Sequence, residues 1–143
     1  MHDENPRIEL PATLENLPRF IAFAADQARR RGFSASRVGE IELVLEEALV
    51  NVIRYAYPES EGDLALEIRS SPESGLVLEI RDRGVSFNPL ENPPPDLEAD
   101  ILERAVGGLG IYFIKELADR VSWRRQDQEN ILTLAFSDNN DKN

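Results

Sequence analysis

Two polar side chains on a predicted helix are spaced so that they could act together on a ligand. In the segment IELVLEEALVNVIRYAY, Glu47 and Asn51 are four residues apart, which places them one turn apart on the same helical face. The asparagine oxygen is a neutral ligand for a hard cation, and the glutamate can accept a proton from a hydroxyl group or from water. Taken alone, such a pair is more typical of a solvated helix surface.

An aspartate at the end of a predicted strand offers a second kind of chemistry. In IRDRGVSF, Asp82 follows an alternating apolar run, and Gly84 comes two residues later. A carboxylate at this position can accept a hydrogen bond from an exocyclic amine, and a glycine beside it lets a flat ring approach the backbone. An ordinary Asp-x-Gly turn is the alternative interpretation.

The segment VGGLGIYFIKEL places three glycines, Gly107, Gly108 and Gly110, directly before a predicted helix. Backbone N–H groups at a helix start, together with the helix dipole, favour a phosphate group. No Gly-Lys-Ser/Thr follows, so this is not a Walker loop, and a dinucleotide-binding fingerprint would need a preceding strand and a different spacing. A flexible hinge is the alternative, and phosphate binding is the favoured interpretation.

Hydropathy periodicity predicts the elements that must hold these residues, because it changes from helical spacing to strand alternation after Pro58. The predicted elements are, in order, a strand Arg7–Leu10, a helix capped by Thr13 or Asn16 and closed by Gly32, a helix capped by Ser34 or Ser36 and ending near Tyr57, a hairpin around Leu64–Ile68 and Leu76–Ile80, a helix Leu109–Ala118, and strands Val121–Gln126 and Ile131–Ser137. One face of the sheet is apolar, so the helices are expected to cover it in an α+β, two-layer sandwich with a mostly antiparallel sheet.

Composition and charge bound the class of protein. The 143 residues, 41% hydrophobic and 30% charged, predict a single globular domain over 1–143. The absence of cysteine excludes disulfides and thiolate chemistry, and the single histidine, His2, argues against a histidine triad. A net charge of −11 repels phosphate backbones and anionic lipid, so neither nucleic acid nor a membrane is expected as a partner. Without a leader pattern or a long apolar run, a cytoplasmic location is expected.

A long segment without clear periodicity separates the hairpin from the third predicted helix. The stretch Ser86–Gly110 includes three consecutive prolines, Pro93 to Pro95, which stiffen the chain. A segment of this length inside a compact domain is typical of a lid, a functional loop or disorder. The last residues, 138–143, are expected to form a loose tail.

The order and spacing of these features are more specific than any one of them. A Glu-x-x-x-Asn helix, a strand ending in Asp-x-Gly, a long loop and Gly-Gly-Leu-Gly opening a helix resemble the GHKL (Bergerat-fold) ATPase superfamily. The segments IELVLEEALVNVIRYAYPE, LEIRDRGVSFNP and GGLGIYFIKELADRVSW are most similar to the small anti-sigma-factor serine kinases of bacterial partner switching. The resemblance runs from about Ile8 to Phe136 and implies that family's two-layer sandwich, with a mixed, mainly antiparallel sheet.

The resemblance implies that ATP and Mg²⁺ are the cofactors. By this resemblance, Glu47 polarises the attacking hydroxyl, Asn51 is both a nucleotide contact and the Mg²⁺ ligand, and Asp82 reads the adenine amino group with Gly84 beside the ring. The other residues that it assigns to the nucleotide are Phe87, Arg104, Gly107, Gly108, Leu109 and Gly110, with an ATP lid at about 88–108. Tyr55 replaces the histidine of many relatives and is expected to serve packing or lid contact.

The implied activity is that of an ATP- and Mg²⁺-dependent serine/threonine protein kinase that acts as an anti-sigma factor and phosphorylates a small antagonist protein. The expected partners are a sigma factor, the antagonist, or both, with a homodimer as a further expectation. The alternative is a nucleotide-dependent partner-binding module with little or no kinase activity. A detached histidine-kinase catalytic domain is a third hypothesis, and it needs a partner to supply the phospho-accepting histidine because this chain has only His2.

Overall fold

A computed structural model of the chain describes residues 5–72, 74–91 and 112–138. Within these ranges the strands and long helices follow the predicted order, and their bounds lie within a few residues of the expected places. The predicted start of the third helix, Leu109, lies outside the described residues. The elements are β1 (Arg7–Pro11), a 3₁₀ turn (Leu14–Asn16), α1 (Leu17–Arg30), α2 (Ala35–Tyr55), β2 (Asp63–Arg69), β3 (Leu76–Asp82), α3 (described over 112–117), β4 (Arg120–Gln126) and β5 (Glu129–Phe136). No helix of the described ranges is long and apolar enough to cross a membrane.

The five strands form one sheet in the order β1-β2-β3-β5-β4. Each strand is antiparallel to its neighbours, which confirms the mainly antiparallel sheet and leaves no parallel pair in the part of the chain described. The reason is connectivity, because β2–β3 and β4–β5 are hairpins and only antiparallel strands can be joined by short turns. The order also makes the last strand, β5, a central one.

The core lies between one face of the sheet and the two long helices. Ile68, Leu78 and Leu134 stand opposite one another in the adjacent strands β2, β3 and β5 and are fully buried. Phe20 of α1 and Ile41 of α2 are fully buried against the same cluster. This arrangement is the expected two-layer α+β sandwich, and burial of these apolar side chains is its main source of stability.

The helix ends agree with the sequence in part. Ser34 caps α2, since its hydroxyl oxygen accepts a hydrogen bond from the N–H of Arg37 at 3.2 Å. Gly32 has φ +86°, the left-handed geometry expected after α1. The predicted side-chain cap of α1 was wrong, because Asn16 holds the cap position but donates its amide to the carbonyl of Pro11 instead. Thr13, the other candidate, makes no side-chain cap bond either.

A single guanidinium, that of Arg37, fastens the start of α2 to the end of α3 and to β5. Its nitrogens donate to the carbonyl oxygens of Ser137 at 2.9 Å and Leu117 at 2.8 Å. They also bond the carboxylates of Glu40 at 2.8 Å and Asp119 at 3.2 Å. The Arg37 side chain is only 12% exposed, so these bonds form where little water competes. The contact holds three elements together at the end of the fold where α2 begins.

We expect Arg37→Met to lower the free energy of unfolding by about 2 to 3 kcal/mol, because two partly buried carbonyl oxygens and two carboxylates lose a charged donor. Arg30→Met is the matched control. Arg30 pairs with Asp26 on α1, but its side chain is 70% exposed, so its loss should cost less than about 0.5 kcal/mol. Urea denaturation followed by circular dichroism measures both values. Equal costs for the two variants would show that Arg37 is not a fastening residue.

Candidate functional site

The predicted pair on α2 lies on one face of the helix, and both side chains are half-buried. The side-chain N–H₂ of Asn51 donates to the backbone carbonyl of Glu47, one turn earlier, at 2.9 Å. This bond uses the nitrogen end of the carboxamide and leaves its oxygen, Oδ1, without a partner among the described residues. A fixed amide with an available oxygen suits a cation ligand.

The Glu47 carboxyl group lies in surroundings that favour proton uptake. Its pKa is raised above the ordinary value, first by burial and then by the negative charge of Glu46, while the positive charge of Arg54 lowers it. No group of the described residues donates a hydrogen bond to this carboxylate. A carboxylate with a raised pKa is a stronger base than a fully solvated one, which fits a role in accepting a hydroxyl proton.

Asp82 ends β3 on the core face of the sheet and is only 5% exposed. One oxygen, Oδ1, accepts two hydrogen bonds, from the N–H of Gly84 at 2.8 Å and from the side-chain amide of Asn130 at 2.8 Å. The other oxygen has no partner among the described residues. Burial raises the pKa of Asp82, and these two bonds lower it in part. The carboxylate therefore presents one held oxygen and one oxygen that can accept a bond from a ligand.

Asn130 is a site residue that the sequence analysis missed. It is buried on β5 directly opposite Asp82, and its amide also donates to the carbonyl of Val85 at 2.8 Å. Its oxygen accepts the N–H of Phe87 at 3.2 Å. The one signal in the sequence was strand alternation, because Asn130 projects from the same face of β5 as the apolar side chains of Leu132 and Leu134. A polar residue on the core phase of a strand needs a polar partner.

Gly84 is required for a close contact between the loop after β3 and the end of α2. A Cβ atom at this position would overlap the carbonyl oxygen of Ala56, and the next residue, Val85, donates its N–H to that same oxygen at 2.8 Å. The structure thus gives a packing reason for the glycine that the sequence did not predict. The expected approach of a ring to Gly84 stays a prediction.

An aromatic contact joins the functional face of α2 to the same loop. The rings of Tyr55 and Phe87 lie 5.1 Å apart, centre to centre, at a tilt of 49°. Tyr55 follows Asn51 by one helical turn, so this contact brings Phe87 to the face that carries Glu47 and Asn51. The packing role expected for Tyr55 is therefore observed.

Several predicted site residues lie outside the described residues. They are Arg104, Gly107, Gly108, Leu109 and Gly110. Of the predicted lid, only residues 88–91 are described, and of the predicted tail only Asp138, whose carboxylate accepts a bond from the N–H of Ser34 at 3.4 Å. Among the described residues no group of three or more acidic or histidine side chains could hold a metal ion.

Comparison with known proteins places these features in a family. The model of the histidine kinase-like ATPase domain matches residues 10–136. The serine-protein kinase RsbW of Listeria monocytogenes is 29% identical over 126 residues, which cover 85% of this chain and 79% of that protein. The serine/threonine-protein kinase BtrW of Bordetella bronchiseptica is 25% identical over 135 residues, covering 94% of each.

Two solved structures share the fold. The crystal structure of the RsbU and RsbW domains of a Mycobacterium tuberculosis protein superposes with a TM-score of 0.61 at 15% identity, over 92% of this chain and 32% of that one. This chain therefore spans about a third of that protein (32%). The Acinetobacter baumannii histidine kinase AdeS superposes with a TM-score of 0.50 at 16% identity, over 92% of this chain and 68% of that one. At these identities the two structures confirm the fold.

We expect Gly84→Ala to lower the free energy of unfolding by at least about 2 kcal/mol, because the added methyl group must displace either the loop or the end of α2. Gly39→Ala is the matched control. Gly39 lies inside α2 with open space around its Cα, so alanine there should raise stability by about 0.5 to 1 kcal/mol. Thermal unfolding of the two variants checks the sign of each change. A Gly84→Ala protein as stable as the parent would show that the contact is not tight.

Proposed function

The chain belongs to the histidine kinase-like ATPase domain family, and on that premise we propose that it is an ATP- and Mg²⁺-dependent serine/threonine protein kinase. Its relatives RsbW and BtrW carry the names of protein kinases. The proposal is supported by the side chains that this chain keeps at the positions the chemistry needs, on α2 and at the end of β3.

The observation that carries the proposal is the state of the Asp82 carboxylate. Because two N–H donors hold one of its oxygens, the other is left to accept a bond from a ligand. Adenine has an amino group where guanine and hypoxanthine have a carbonyl oxygen, so a carboxylate oxygen attracts adenine and repels the other two. Tyr55 and Phe87, whose rings are in contact nearby, add apolar surface of the kind that a base needs.

The polyphosphate and its cation would lie along α2. The available oxygen of Asn51 fits a single protein ligand to Mg²⁺, a metal that is usually bound by few protein groups together with water and phosphate oxygens. When bound, the cation neutralises charge on the phosphates. The predicted glycines Gly107, Gly108 and Gly110, with Leu109 and Arg104, would act on the phosphate side. Because the chain has a net charge of −11, it needs the cation, the arginine and the backbone N–H dipoles to hold a triphosphate.

In the transfer step, Glu47 is the proton acceptor. The hydroxyl oxygen of a partner's serine or threonine forms a bond to the γ-phosphorus, while the bond from that phosphorus to the β–γ bridging oxygen breaks and ADP leaves. The hydroxyl proton passes to the Glu47 carboxylate. Phosphoryl transfer of this kind depends mostly on alignment and charge neutralisation, so a single positioned base suffices.

The partners follow from the resemblance to partner-switching kinases. The protein would bind a sigma factor and phosphorylate a small antagonist protein in the cytoplasm, with a homodimer as a further expectation. The alternative, a nucleotide-dependent binding module with little kinase activity, makes no use of Glu47. The raised pKa and half-buried position of that carboxyl group favour the kinase.

We expect Glu47→Gln to lower the rate of phosphoryl transfer by at least about a hundredfold, because the hydroxyl proton loses its acceptor. ATP affinity should stay within about twofold of the parent, since glutamine preserves shape and hydrogen bonding. Transfer of labelled phosphate from ATP to a candidate antagonist protein measures the rate, and equilibrium dialysis measures the affinity. An unchanged rate would show that Glu47 is not the proton acceptor, whereas no transfer by the parent would favour the binding module.

The rate of transfer should fall at acidic pH as Glu47 takes up a proton. Because burial and Glu46 raise the pKa of Glu47, the acid limb should lie above the ordinary glutamate value of 4.5. Removal of the neighbouring charge in Glu46→Gln should move that limb to lower pH, whereas removal of Arg54 in Arg54→Gln should move it to higher pH. Rate–pH profiles of the parent, Glu46→Gln and Arg54→Gln check both directions. Acid limbs at the same pH in all three would show that Glu47 is not the proton acceptor.

We expect Asn51→Ala to abolish the dependence of ATP affinity on Mg²⁺, because the oxygen that would hold the cation is lost. Adenosine, which has no phosphate groups, should bind the variant as well as it binds the parent. Calorimetric titrations with and without Mg²⁺ separate the two effects. An equal loss of adenosine affinity would point to damage at the base site instead of a lost metal ligand.

A further inference from the structure

Arg125, near the end of the edge strand β4, bonds the loop that carries Asp82. Its guanidinium donates to the carbonyl oxygen of Gly84 at 2.8 Å. The N–H of that same glycine donates to Asp82 Oδ1, also at 2.8 Å. Gly84 is therefore held on its carbonyl side by Arg125 and on its N–H side by the carboxylate.

The register of the sheet explains why these side chains meet. Asp82 on β3 stands opposite Asn130 on β5, and Asn130 stands opposite Arg125 on β4. Residues that stand opposite each other in an antiparallel pair project from the same face of the sheet. Three polar side chains thus form a row across three strands at one end of the sheet. The next row on the same face is apolar and consists of Trp123, Leu132 and Ile80.

The loop after β3 depends on this row for its hydrogen bonds. Asn130 satisfies the carbonyl of Val85 and the N–H of Phe87, and Arg125 satisfies the carbonyl of Gly84. Two further N–H groups bond outside the row, that of Arg83 to the hydroxyl of Tyr57 and that of Val85 to Ala56 at the end of α2. Without Arg125 the Gly84 carbonyl loses its partner, and the bond from the Val85 N–H to Ala56 is left to hold that peptide unit alone.

We propose that Arg125 is a positioning residue for base recognition, which holds the Gly84 peptide and through it the orientation of the Asp82 carboxylate. This inference rests on the proposed function, since it assumes that Asp82 reads an adenine amino group. Arg125 acts through the loop and not through contact with the nucleotide. Its loss should therefore weaken the binding of the base and leave the binding of the phosphates unchanged.

The charges around Asp82 give the proposal a second readout. Arg125 lowers the pKa of Asp82, Glu129 on β5 raises it, and burial raises it most. The phenol of Tyr57, on the chain that follows α2, is near enough for the charge of Asp82 to add to the effect of burial in raising the pKa of Tyr57. With Arg125 removed, Asp82 takes up its proton at higher pH. A protonated carboxyl group accepts poorly from an amine. As the pH is lowered, the variant should therefore lose adenine binding at a higher pH than the parent does.

The neighbouring arginine provides a matched control. Arg124 stands opposite Ile131, on the other face of the sheet from Arg125, and its guanidinium bonds the side chain of Gln126 at 3.1 Å. Arg124→Met and Arg125→Met remove the same charge from the same strand at adjacent positions. Only the second variant removes the bond to Gly84.

The experiment compares Arg125→Met, Arg124→Met and Arg125→Lys with the parent protein. Carbon-detected NMR follows the titration of the Asp82 carboxyl group in nucleotide-free protein, and calorimetry measures adenosine and ATP affinity between about pH 5 and pH 8. For Arg125→Met we expect a higher Asp82 midpoint and about a fivefold loss of affinity for both ligands, which corresponds to one lost hydrogen bond. Arg124→Met should match the parent, and Arg125→Lys should restore most of the parent's titration because it keeps the charge.

Each other outcome overturns a specific claim. Equal behaviour of Arg125→Met and Arg124→Met, or a loss of ATP affinity with adenosine affinity unchanged, would show that Arg125 does not position the base-reading group. If the Asp82 titration shifts in Arg125→Met but the parent protein binds neither adenosine nor ATP, the proposed function is overturned instead. Arg125→Gln, which keeps an N–H donor and removes the charge, should show the same higher midpoint and supplies the test if the methionine variant does not fold.

Discussion

The site depends on a buried carboxylate that keeps one oxygen available. Burial disfavours the charged form of Asp82, so an isolated aspartate at this position would take up a proton and lose its value as an acceptor. If both oxygens were bonded within the protein, the charge would be stable but nothing would be left for a ligand. Two donors on Oδ1, from Gly84 and Asn130, resolve the conflict, because they stabilise the charge and leave the second oxygen open.

The topology of the fold serves this arrangement. Because β5 inserts between β3 and β4, the last strand places Asn130 beside Asp82, which is far from it in the chain. The helix α2 supplies the other half of the site. It is fastened at its start by Arg37 and meets the loop after β3 at its end, where Ala56 accepts the N–H of Val85. A rigid helix held at both ends fixes the position of Glu47 and Asn51 relative to the carboxylate.

Much of the fold and the outline of the site could be predicted from the sequence. The periodicity of the apolar residues gave both long helices and both hairpins, because burial on one face is a local and repetitive signal. The spacing of Glu47 and Asn51 likewise follows from helix geometry. Asn130 and Arg125 could not be predicted, since their roles depend on which strands become neighbours, and that is decided by packing of the whole sheet. The close approach of Gly84 to α2 could not be predicted for the same reason.

The most direct test exploits the two donors on Asp82 Oδ1. In Asp82→Asn the carboxamide oxygen must take the place of Oδ1 to satisfy both donors, which turns the N–H₂ group toward the ligand. Calorimetric titration of parent and variant with the Mg²⁺ complexes of ATP and inosine triphosphate measures the consequence. Recognition of adenine by this carboxylate predicts that the parent prefers ATP and that the variant reverses the preference by at least about tenfold. A folded parent that binds both nucleotides equally well, or neither, would contradict it.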